Sequence, residues 1–112
     1  MGFQETYFAC GLLAVAGGAV VAGSGGYNIA SITRTGAGLF SVVWDRQIDS
    51  AEVAITLQLQ TATGNGAGDN LVAKLVTVTD TGFTFETRTS AAGAATDPVG
   101  VSILAYRWRV GT

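Results

Sequence analysis

In Ala51-Glu52-Val53-Ala54-Ile55-Thr56-Leu57-Gln58-Leu59-Gln60 every odd position is apolar and the even positions are mostly polar. Side chains alternate between the two faces of a strand, so this run can bury one face of a sheet and wet the other. The same period of two governs much of the chain, and no window of ten or more residues carries a convincing 3.6-residue apolar repeat. Val72 to Thr79 is rich in β-branched residues, with Val76 and Val78 expected on one face and Thr77 and Thr79 on the other. Asp80-Thr81-Gly82 is turn chemistry, which predicts a hairpin with Phe83 and Phe85 pointing inward and Thr84 and Glu86 outward. Leu39 to Trp44 is apolar on both faces and should be covered on both. A last strand is predicted from about Val101 to Val110.

Glycines punctuate the first third into pieces of strand length, read as strands over Thr6 to Val15, Ala19 to Ala22 and Tyr27 to Thr33. Residues 61–70 and 90–98 are rich in Gly, Ala and Thr without apolar periodicity, and read as loops. About eight short strands at regular spacing predict an all-β fold, an antiparallel β-sandwich of jelly-roll type. With 112 residues the chain has room for one domain, spanning 1–112.

Apolar residues make up 48% of the chain and charged residues 12%, about half of the roughly 25% usual in soluble domains. A domain this small cannot hide so much apolar surface internally, so another chain is expected to cover part of it. A net charge of −2 gives no field to attract nucleic acid or an anionic membrane. No charged side chain occurs from Thr6 to Ile32, but that stretch is broken by glycines, has no Lys or Arg before it, and follows an acidic rather than basic start. A membrane span or signal peptide is therefore disfavoured.

With no histidine, Ser-His and Cys-His nucleophiles and imidazole metal sites are excluded. Cys10 stands alone, without the second thiol that a disulfide needs, and reads as a small buried apolar residue. Asp45, Asp49, Glu52, Asp69, Asp80, Glu86 and Asp97 sit mostly at predicted turns or on wet faces and read as ordinary solvated charges, not as a glycosidase pair. The loop Gly64 to Leu71 holds one imperfect copy of a calcium nonapeptide, and a plain hairpin tip is the better reading. Neither Gly23-Ser24-Gly25-Gly26 nor Gly36-Ala37-Gly38 carries the lysine of a phosphate loop. In Arg107-Trp108-Arg109 the alternation splits the arginines from Trp108, which shares its face with Tyr106 and Leu104 and reads as core or interface packing. The arginines are then available to carboxylates of a neighbouring chain. The expectation is a protein that binds or builds: no enzyme, no cofactor, no metal.

The stretch from Tyr27 to Trp44, in which a strand ending Arg34-Thr35-Gly36-Ala37-Gly38 precedes an aromatic strand, resembles a pattern of bacteriophage head decorations and fibre tips. Such modules are similar to the trimeric jelly roll of the complement globular-head and tumour-necrosis-factor superfamily. Gly82-Phe83-Thr84-Phe85, the Asp97-Pro98 loop and the apolar last strand follow in the same order, so the resemblance spans most of residues 20–110. It implies a homotrimer packed through aromatic-rich strands and docked on the major capsid protein at the outside of a virion made in the host cytoplasm. The domain starts almost at Met1, which favours a capsid decoration or cement protein over a fibre carried on a shaft. Residues 1–26 are the candidate capsid-facing segment, or equally the first strands of the sandwich. The candidate oligomer or capsid contacts are Phe3, Tyr7, Phe8, Phe40, Trp44, Tyr106 and Trp108. The alternative is a receptor- or carbohydrate-binding tip module of a phage tail or head fibre.

Overall fold

A computed structural model describes residues 6–60, 71–89 and 93–107. The strands are β1 (Thr6–Ala16), β2 (Ala19–Val20), β3 (Gly25–Tyr27), β4 (Ile29–Gly36), β5 (Leu39–Trp44), β6 (Val53–Gln60), β7 (Leu71–Thr79), β8 (Gly82–Thr89) and β9 (Gly100–Arg107). A 3-10 turn at Ser50–Glu52 precedes β6, capped by the Asp49 carboxylate, which accepts from the Ala51 N–H at 3.0 Å. That cap moves the start of β6 from the predicted Ala51 to Val53. All pairings are antiparallel, in the order β6-β9-β1-β3-β4-β5-β8-β7, with β2 folded back on β1. The two end strands, β6 and β7, return into contact, so the sheet curls nearly into a closed barrel. The architecture is all-β, antiparallel and sandwich-like, as the period of two predicts.

One extra strand arises because the chain does not run straight through Tyr27 to Thr33. Asn28 adopts the left-handed conformation at φ 59°, breaking the run into β3 and β4. Its side chain is buried and bonds both ways: Nδ2 donates to the Phe8 carbonyl at 3.1 Å and Oδ1 accepts from the Arg46 N–H at 2.9 Å. Asparagine tolerates this backbone better than other non-glycine residues, and here its amide also satisfies two backbone groups.

The core is a single apolar cluster fed from both halves of the sheet. Its spine is a row of aromatic rings: Phe8 meets Trp44 edge-on at 5.2 Å, Trp44 meets Phe83 at 5.2 Å, Phe83 meets Phe85 at 5.9 Å, and Phe85 stacks on Phe40 at 5.2 Å. Because Phe8 lies on β1 and Trp44 on β5, strands not paired with each other, the row ties one half of the sheet to the other. Each such contact adds about 0.5–1.5 kcal/mol beyond area burial. Val53, Ile55, Leu57 and Leu59 of β6 close the core as their alternation predicts.

Three expectations differ from the single-chain structure. A β-bulge between Leu75 and Thr77 inserts Val76 as an unpaired residue and flips the parity of β7. Leu75 and Val78 therefore pack on the core while Val76 turns outward, 53% exposed, so Val76 and Val78 do not share a face. In β5 the inner face, Phe40, Val42 and Trp44, is buried, but the outer face is not covered in the single chain: Leu39 and Val43 remain exposed. Cys10 is likewise exposed rather than buried, because it falls on the outward parity of β1.

Candidate functional site

The structure separates the seven aromatic candidates. Phe8, Phe40 and Trp44 are 8%, 1% and 4% exposed and belong to the chain's own core. Tyr106 is half-buried on the outward parity of β9, opposite the core residues Val101, Ile103 and Ala105. The backbone of Tyr7 lies beside it, in register with Tyr106. Phe3 and Trp108 lie outside the described residues, as does the nonapeptide-like loop over 64–70.

Three surface arrangements hold the polar chemistry. A cleft of about 440 Å³ opens between Phe8, residues 46–49, Glu52 and Arg107. Its polar side chains are engaged within the chain: Arg107 Nε stands 3.3 Å from Glu52 Oε1, Asp49 caps the 3-10 turn, and Arg46 donates to the Tyr27 hydroxyl at 3.4 Å. Arg107 thus meets a carboxylate of its own chain. Along one face of β8, the Arg88 guanidinium binds Glu86 at 3.1 Å, and that hydrogen bond pulls the Glu86 carboxyl below its ordinary range and raises Arg88.

The third arrangement was not legible in the sequence. Arg34 at the end of β4 grips Asp97 with Nε and Nη2, at 3.0 and 2.9 Å, from 63 residues away. The Gly38 N–H donates to the same carboxylate at 2.8 Å. These bonds pull the Asp97 carboxyl below its ordinary value, the Arg34 hydrogen bond most strongly, against a desolvation that pushes it up. Gly38 sits beneath this latch at φ +68°, where a Cβ would stand 2.5 Å from the Thr87 carbonyl oxygen and 2.7 Å from the Thr96 nitrogen. Only glycine fits there. Asp97 is therefore a half-buried clamp that fastens the 93–99 segment over the β4–β5 hairpin, not a solvated turn charge.

None of these arrangements sets a nucleophile against a base. Among the described residues no three His, Cys, Asp or Glu side chains gather as metal ligands. No helix among them is long and apolar enough to cross a membrane, which leaves spanning by strands unaddressed.

What remains is the outer surface of the sheet. Large apolar side chains stand there at least half exposed, Leu12 on β1, Tyr27 on β3, and Val72 and Val76 on β7, and Val99 is as exposed in the segment before β9. No family model, no curated protein and no solved structure matches this chain.

Proposed function

We propose that this chain is a structural protein of a bacteriophage virion, a capsid decoration or cement protein that associates as a homotrimer and binds the major capsid protein on the outside of the head. The observation that carries the reading is apolar surface left over by a fold whose core is already filled. Leu12, Tyr27, Val72, Val76 and Val99 stay at least half exposed around a complete aromatic spine, in a chain with 12% charged residues. Single exposed apolar residues are ordinary, but so many with so little charge favour burial against other chains. The Arg34-Thr35-Gly36-Ala37-Gly38 pattern, on which the resemblance to phage decorations rests, forms the β4–β5 turn and the seat of the Asp97 clamp.

The mechanism is additive burial. Interfaces of about 1,600 Å² or less, repeated at many equivalent sites, tie neighbouring shell subunits together without any single strong contact. A sugar-reading tip would draw on aromatic side chains in its loops. Here four phenylalanines and Trp44 line the core, and residues 61–70 and 90–98 contain no aromatic.

The test is to add the purified protein to heads assembled from the phage's major capsid protein without it, and to measure co-sedimentation and the melting of the heads. Saturable binding with a raised melting temperature is expected. Heads that neither retain the protein nor gain stability would reject the reading.

A further inference from the structure

Three uncharged stretches, far apart in sequence, converge in the folded chain. Residues 6–32, 53–68 and 98–106 contain no Asp, Glu, Lys or Arg. They supply β1, β2 and β3, then β6, then nearly all of β9, and the sheet order β6-β9-β1-β3 makes these strands neighbours. The outward residues are fixed by register: Thr56 lies opposite Leu104, Leu104 opposite Cys10, and Cys10 opposite Tyr27. Leu12 beside them is 55% exposed and Tyr27 58%, the two most exposed large apolar side chains among the described residues. The other half of the sheet differs, since β7 and β8 carry Lys74, Glu86 and Arg88.

From this convergence we infer that the outer face of β6-β9-β1-β3 is the surface through which one copy of this chain binds a second copy. The inference rests on the self-association within the function proposed above and names its face. Area supports it. Eight residues along each strand at about 3.4 Å, across strands about 4.8 Å apart, give roughly 500 Å² of footprint once β3 and the end of β1 are included. Covered by an equal area of the next copy around a threefold axis, it gives an interface of about 1,000 Å², the lower bound for a specific association. Charge supports it as well. A face without ionised groups offers a foreign partner no electrostatic register, whereas a copy of itself meets no like-charge repulsion on it. Arg46, which reaches the Tyr27 hydroxyl, stands at the rim, where an interface keeps its charges.

Sedimentation equilibrium of the full chain, with Leu12→Glu and Thr56→Glu on the face and Thr33→Glu on the other half, tests the inference. Both face variants should weaken association about 100-fold, because they bury an unpaired charge, while Thr33→Glu leaves it unchanged. Cys10 gives a reading on the unaltered protein: its labelling by a maleimide should slow in proportion to the associated fraction. If the protein associates but both face variants keep its mass, or Cys10 labels at the free rate, the face is wrong and self-association stands. A monomer at all concentrations overturns both. A monomer whose Cys10 is shielded by uncharged lipid vesicles assigns the face to lipid and overturns the inference. Should Leu12→Glu fail to fold, Thr56→Glu and the Cys10 rates decide.

Discussion

Asn28 does two things that no other side chain at its position could combine. It accepts a left-handed backbone, and its amide joins the Phe8 carbonyl of β1 to the Arg46 N–H beyond β5. Replacement by glycine keeps the backbone and loses both hydrogen bonds, which should cost about 2 kcal/mol in urea unfolding. Replacement by alanine adds the strain of φ 59° and should cost about 1 kcal/mol more. Equal losses would mean that the conformation there is not left-handed. The sequence holds a trace of this device, an asparagine two residues after Gly26, but alternation alone carries a strand straight through it. Phe83 and Phe85, by contrast, were legible as inward residues, because they alternate with polar Thr84 and Glu86 behind a turn.

At the scale of elements, local chemistry set the hairpins and distant chemistry fastened them. Asp80-Thr81 turns β7 into β8 as its composition predicts, while the bulge at Val76 has no local signal, since it depends on the fit of β7 to β8. The Arg34–Asp97 clamp was equally hidden, because neither residue indicates a partner so far along the chain. Asp97→Asn removes the charge from a half-buried bidentate pair and should cost about 2 kcal/mol near neutral pH. The folded Asp97 carboxyl titrates below the unfolded one, so its stabilisation is fully present above about pH 3.9 and is lost as pH falls through the depressed folded value. The melting temperatures of the wild type and Asp97→Asn should therefore converge in acid. Glu86, also lowered, acts in the same direction in both proteins and does not affect the difference. A gap that persists in strong acid would show that the clamp stabilises by shape and not by charge.

Over the whole molecule, the composition announced surplus apolar surface but not its place. The place depends on strand order, which put β9 between β6 and β1 and gathered three uncharged stretches into one half of a nearly closed sheet. Of the aromatic residues first expected at an interface, Phe8, Phe40 and Trp44 belong to the core, because the inner face of β5 and the bulged start of β1 turn them inward. The surface is left to smaller and less conspicuous side chains such as Leu12, Cys10 and Thr56. The low charge, the exposed apolar face and the proposed place in a shell all call for a chain that does not act alone. The mass of the unmodified protein at sedimentation equilibrium, measured across a range of concentrations, tests this most directly. A rise from the single-chain 11.4 kDa to three copies is expected. A mass that stays at one chain throughout would contradict it.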